Sequence, residues 1–149
     1  MREHMGLFRG KRIDNGEWVE GNLVNYNPHF EWVHIIYFAE DDGGFLTRFE
    51  AEVIPDTIGE CAGLKDKNGK LAFEHHITED MWGQRWVIFR CAGGFGICRD
   101  FEWICQTDIS KMIFEALADL QNAQWFSENH KIIGNVTDNP DLLKGGESE

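Results

Sequence analysis

Basic residues are scarce in this chain: Lys and Arg number 14 against 26 Asp and Glu, a net charge of −12 over 149 residues. That balance excludes a surface built to coat phosphates, which owes its affinity to clustered cations. The basic cluster near the start, Arg9, Lys11 and Arg12, lies in an expected strand whose alternate side chains diverge. Long apolar runs are missing too. The longest, Ile35-Ile36-Tyr37-Phe38-Ala39, falls far short of the ~18 residues that a membrane helix needs. Met1 to Gly10 holds no hydrophobic signal core, so a cytoplasmic protein with no membrane contact is expected. Cysteine is sparse, and Cys61, Cys91, Cys98 and Cys105 never form the close pairs of a zinc module; they read as reduced thiols in the core. Neither G-x-G-x-x-G nor G-x-x-x-x-G-K-[ST] occurs, and Gly93-Gly94-Phe95-Gly96 leads into a strand, so it is a turn rather than a phosphate loop.

What is present suffices for one compact domain. The length is close to the ~150 residues of a single domain, and 42% apolar with 13% aromatic residues can fill its core. Up to residue 106 the apolar positions alternate with period two and are cut repeatedly by Gly, Asn, Asp or Pro, the signature of short strands. Leu7 to Ile13 and Glu17 to Tyr26 flank Asp14-Asn15-Gly16, a hairpin because Asn-Gly accepts positive φ angles. Trp32 to Phe38 and Phe45 to Val53 flank the acidic Glu40-Asp41-Asp42-Gly43-Gly44 turn, and a further hairpin centres on Asn68-Gly69. Strands follow at Arg85 to Cys91 and Phe95 to Gln106, and Trp18, Trp32, Phe49 and Trp86 are expected on buried faces.

The period then changes. Ile109, Met112, Ile113, Ala116, Leu117 and Leu120 draw one stripe on a helix capped by Thr107 or Asp108. The helix fades between Asn122 and Asn129; His130 to Val136 is a short strand, and Asn139-Pro140 opens a helical turn. The expected fold is mainly β with one main helix: a β-rich core over 1–106, a helix, strand and terminal turn over 107–143, and a frayed tail over 144–149.

Glu74-His75-His76 with Glu79 and Asp80 gathers the most ligand-type residues. Adjacent His75 and His76 point to opposite faces of a strand, so the pair does not form a metal site, and no metal or organic cofactor is expected. No nucleophile, base and electrophilic stabiliser can be assembled from the sequence, so no catalytic residue is assigned. Phe114, Trp125 and Phe126 fall off the helical stripe or beyond it. The expectation is an apolar patch there that a second copy covers, the alternative being that the segment after Asn122 folds back onto the core.

Three stretches carry a family likeness: LFRGKRIDNGEWVEGNLV (Leu7 to Val24), IPDTIGECAGLKDKNGKLAFE (Ile54 to Glu74) and IGNVTDNPDLL (Ile133 to Leu143). In that order they resemble the YopX family of phage and prophage proteins. The resemblance implies an SH3-type roll of short antiparallel strands and brings no assigned activity. Where the family pattern runs Glu-Gly-Asp-Ile, this chain has Glu74-His75-His76-Ile77.

The function expected is an accessory phage or prophage protein that binds a host or phage protein, with no direct nucleic-acid contact. Two other classes stand beside it. One is an acidic decoy occupying a host nucleic-acid-binding protein, recognisable by a continuous negative face. The other is a small hydrolase built on the His75 and His76 region, recognisable by a pocket with a carboxylate or thiol in reach.

Overall fold

The computed structural model describes residues 7–27, 32–91, 94–100, 103, 114–117 and 120–143. Its contacts divide the chain into two compact units, Met1–Cys61 and Ala62–Glu149. The division falls before the boundary at residue 106 that the change of period suggested. After residue 62 the apolar side chains pack with elements later in the chain, Ala72 with Ile88, Ile97, Leu117 and Phe126, and so belong with the helix.

The first unit holds β1 (Leu7–Lys11), β2 (Trp18–Asn27), β3 (Trp32–Glu40), β4 (Leu46–Val53), a 3-10 turn at Pro55–Thr57 and the start of β5 (Gly59–Lys65). The expected Asn15-Gly16 hairpin is present, with Gly16 at φ 74° and the Glu17 N–H donating to Asn15 Oδ1 at 2.9 Å. β2 serves two partners: Trp18 to Asn22 pairs with β1, and Asn22 to Asn27 with β3. Where the partners change, a Cβ on Gly21 would collide with the Ile36 carbonyl oxygen, so the crossing needs glycine. The end of β1 bridges the end of β4 at Arg12 and Val53, with Ile13 N–H donating to Glu52 O at 3.1 Å and Ile54 N–H to Lys11 O at 2.9 Å. Phe8 and Arg9 of β1 pair on their other side with Glu60 and Gly59. The strands of this unit lie in the order β4-β3-β2-β1-β5, antiparallel throughout, with the Arg12–Val53 bridge joining β1 back to β4, in agreement with the expected β-rich fold. Val33, Ile35 and Val53 fill it with Phe8, Val19, Leu23 and Ile58. Gly10 is the close-packed point, because a Cβ there would stand 3.0 Å from Val53 Cβ. Trp18 is half-buried beneath the Arg9 guanidinium, 4.1 Å from its ring centre, and Phe49 stacks on Tyr37 at 5.6 Å.

In the second unit β7 (His76–Glu79), β8 (Arg85–Cys91), β9 (Gly94–Arg99), β10 (Phe114–Ala116) and β11 (Lys131–Asn135) form an antiparallel sheet, ordered β10-β9-β8-β7-β11. The end of β5 and β6 (Leu71–Phe73), the helix α1 (Leu120–Asn129) and a 3-10 turn at Pro140–Leu142 complete it. Because successive strand side chains alternate, both faces of this sheet are covered. Ile88 and Ile97 pack with Ala72, Leu117 and Phe126 on one face; Ile77, Val87, Phe89 and Cys98 pack with Leu143 on the other. Trp86 adds a half-buried indole to the first cluster.

The helix sits later than its expected position over Ile109 to Leu120. Residues 109–113 lie outside the described set, Phe114–Ala116 is strand β10, and α1 begins only at Leu120. The edge of β9 explains the strand: Phe114, Glu115 and Ala116 pair with Cys98, Ile97 and Gly96, and a ladder partner outweighs helical periodicity over so few residues. α1 is instead fixed by aromatic burial through Phe126, and it closes with His130 N–H on the Phe126 carbonyl at 2.9 Å.

Candidate functional site

One turn chemistry recurs three times. In Asp41-Asp42-Gly43-Gly44-Phe45, Asp66-Lys67-Asn68-Gly69-Lys70 and Asp80-Met81-Trp82-Gly83-Gln84, the aspartate Oδ1 accepts the N–H groups two and four residues on. Each of those bonds measures between 2.8 and 3.0 Å. The fourth residue is always glycine, with φ of 81°, 83° and 79° at Gly44, Gly69 and Gly83, a left-handed conformation that side chains resist. The second oxygen differs in its task. Asp41 Oδ2 accepts from the Thr47 hydroxyl, Asp66 Oδ2 from the Ile132 N–H at 2.8 Å, and Asp80 Oδ2 from the Trp86 indole N–H at 3.0 Å.

The ligand-type residues are therefore spread over structural tasks. Asp80, 6% exposed, is spent on its turn and on Trp86. His76 is buried with Nδ1 accepting the Phe73 N–H at 2.9 Å, which leaves the ring proton on Nε2. Glu79 lies between Lys131 Nζ at 3.5 Å and Arg85 Nε at 3.9 Å. His75 sits in the left-handed region at φ 79°, and its buried Nδ1 has no hydrogen-bond partner among the described residues. Its Nε2 is 3.5 Å from Glu74, a carboxyl that burial pushes up while His75 pulls it down, and its ring lies 6.0 Å from that of Trp103. Among the described residues, no group of three or more His, Cys, Asp or Glu side chains is placed to hold a metal ion.

Another histidine is more completely enclosed. His130, fully buried, has Nδ1 2.8 Å from Thr78 Oγ1, and its ring lies among Phe126, Trp125 and Trp86 at 4.9, 4.7 and 5.8 Å. Burial lowers its pKa from 6.5 to about 4, against the pull of Asp80. Two of the three residues expected on a self-association patch lie in this cluster. Phe126 is fully buried and Trp125 packs edge-on against Trp86, so the segment after Asn122 completes its own unit's core; the side chain of Phe114 lies outside the described set.

Among the described residues, large apolar side chains that face solvent lie elsewhere. On the outer face of the β3–β4 hairpin, register pairs Phe38 with Arg48 and Glu40 with Leu46, which makes Phe38 and Leu46 diagonal neighbours. Phe38, Leu46 and the turn residue Phe45 are 61%, 74% and 73% exposed. Ile36, opposite Glu50, is half-buried and continues this face, and His34 lies opposite Glu52. The Asp41 turn orders the tip, since Phe45 N–H donates to Asp41 Oδ1 at 3.0 Å. That bond leads the causes that hold the Asp41 carboxyl below its ordinary range. Met81 and Trp82, 56% and 69% exposed, occupy the tip of the Asp80 turn in the second unit. The sequence signal for these turns is an Asp followed three residues later by Gly, at 41, 66 and 80; the same spacing at Asp56 and Gly59 falls in the 3-10 turn at Pro55–Thr57 and does not make such a turn.

The family model described as YopX protein matches residues 7–144. The chain belongs to the YopX family. Among solved structures, the crystal structure of protein EF1440 from Enterococcus faecalis is similar over 92% of this chain and 96% of that one, at 21% identity and a TM-score of 0.47. A comparison with curated proteins finds no match. Among the described residues, no helix is long and apolar enough to cross a membrane.

Proposed function

We propose that this YopX-family chain is a phage-type accessory protein that acts by binding another protein rather than by catalysis. The observation that carries the reading is the exposure of Phe38 and Leu46 as diagonal neighbours on the outer face of one ordered hairpin, with Phe45 exposed in its turn. Apolar side chains gathered on an exposed rigid element mark interaction sites, whereas singly scattered ones need no explanation. The ionisable groups point the same way. Asp66 and Asp80 accept three N–H donors each and His76 Nδ1 accepts one, so these atoms are committed to holding turns rather than to moving protons.

The test compares proteins retained from a bacterial lysate by the wild-type chain and by Phe38→Ser with Leu46→Ser, after matching their thermal unfolding. Proteins held by the wild type and lost by the double variant are expected. Identical retention by both would refute the reading.

A further inference from the structure

We propose that the β3–β4 hairpin tip docks into an apolar pocket rimmed by Lys and Arg on a partner protein, an inference that rests on reading the tip as a binding surface. The tip is built before any partner arrives. Besides its bond to Asp41, Phe45 lies over Gly43, where an added Cβ would stand 3.2 Å from Phe45 Cδ2. A side chain already held in place loses less freedom on binding.

The charges around it select the partner. Glu40 stands opposite Leu46, Asp42 sits in the turn, and Glu50 and Glu52 continue the outer face opposite Ile36 and His34. The cationic side chain on the same face, Arg48, lies 3.6 Å from Glu50, and His34 Nδ1 is 2.9 Å from the other oxygen of Glu50. Beside the apolar tip, Glu40 and Asp42 are carboxylates, while Arg48 is paired with Glu50, so negative charge is in excess there. An acidic or phosphate-coated surface would meet those carboxylates with like charge. The same argument disfavours nucleic acid and the anionic face of a membrane. A second copy would bring a tip carrying the same excess. A pocket rimmed by lysine and arginine is attracted by the carboxylates and desolvated by the aromatic side chains.

The experiment titrates three synthetic amphipathic peptides into the isotope-labelled full chain. All three share one leucine pattern, with the remaining positions Lys, Gln or Glu, and amide shifts and fluorescence anisotropy are read. The lysine peptide should bind at least about tenfold more tightly than the glutamine peptide, with the glutamate peptide weakest and shifts centred on residues 36–50. Phe38→Ser with Leu46→Ser, which leaves the charge unchanged, should weaken the lysine peptide about tenfold or more. Glu40→Gln with Asp42→Asn and Glu52→Gln should abolish the preference for lysine over glutamine. If lysine and glutamine peptides bind equally and both depend on Phe38 and Leu46, the basic rim is wrong while the binding surface stands. If the serine variant binds the lysine peptide as well as the wild type does, both readings fall. Shifts at 38, 45 and 46 that grow with protein concentration alone would assign the tip to a second copy and overturn the proposal.

Discussion

Thr78 Oγ1 and His130 Nδ1 lie 2.8 Å apart across 52 residues of sequence, joining β7 to the residue that follows α1. The contact is buried, and burial holds His130 near pKa 4 instead of 6.5. Above pH 6.5 the histidine is neutral folded and unfolded, so it exerts no pH dependence. Between 6.5 and about 4 only the unfolded chain takes the proton, so stability falls with pH, by at most about 3 kcal/mol, and levels off below the folded value. Urea unfolding across that range should show this decline in the wild type and a shallower one in His130→Gln. Equal slopes would show that His130 does not titrate as a buried base.

The three aspartate turns should rank by burial. Asp66 and Asp80 are 4% and 6% exposed, whereas Asp41 is exposed. Asp80→Ala orphans two backbone N–H groups and an indole N–H, and Asp66→Ala loses the tie to β11; each should cost about 2–4 kcal/mol. Asp41→Ala should cost clearly less than either, because water replaces the lost acceptor. Chemical denaturation of the three variants measures this, and equal costs would deny burial its role.

His75 carries the backbone strain of a side chain at positive φ. The pattern that this stretch resembles has Gly at this place and Asp at the next, and both differences have a physical reading. Glycine adopts the angle without penalty, and an Asp carboxylate is an acceptor, as His76 Nδ1 is for the Phe73 N–H. His75→Gly should therefore raise stability by about 1 kcal/mol. A loss of that size would show that the ring's contact with Trp103 matters more than the strain.

At Gly21 a Cβ meets main chain rather than a yielding side chain. Gly21→Ala should cost about 3 kcal/mol or more and collapse the amide spectrum of residues 7–61. A native spectrum would mean that β2 can cross between its partners without a glycine.

Much of the strand pattern was legible because its cues are local. Asn15-Gly16 and Asn68-Gly69 specify turns by conformational need, and alternation from Phe45 to Val53 specifies a face. The close approach of its strands was not. Gly10 and Gly21 matter through Val53 and Ile36, residues distant in sequence whose approach no local pattern records. The helix was misplaced for the same reason: the partner of Phe114–Ala116 is β9, and a stripe of apolar residues does not reveal an available edge. Asp80 looked like a metal-ligand candidate because composition cannot separate a carboxylate facing an ion from one facing three N–H donors. The exposed tip was hidden because Phe38 ends a nearly all-apolar strand and Phe45 alternates in step with the packing face, and only the register shows Phe38 beside Leu46 on the outer face.

Photo-cross-linking in living bacterial cells tests the binding surface most directly, with a benzophenone amino acid at position 45 and, as a control, at exposed Asp56. The account predicts a discrete adduct with a second protein from position 45, absent from position 56 and lost when Phe38 and Leu46 are changed to serine. No adduct from position 45, or one that survives the serine changes, would contradict it.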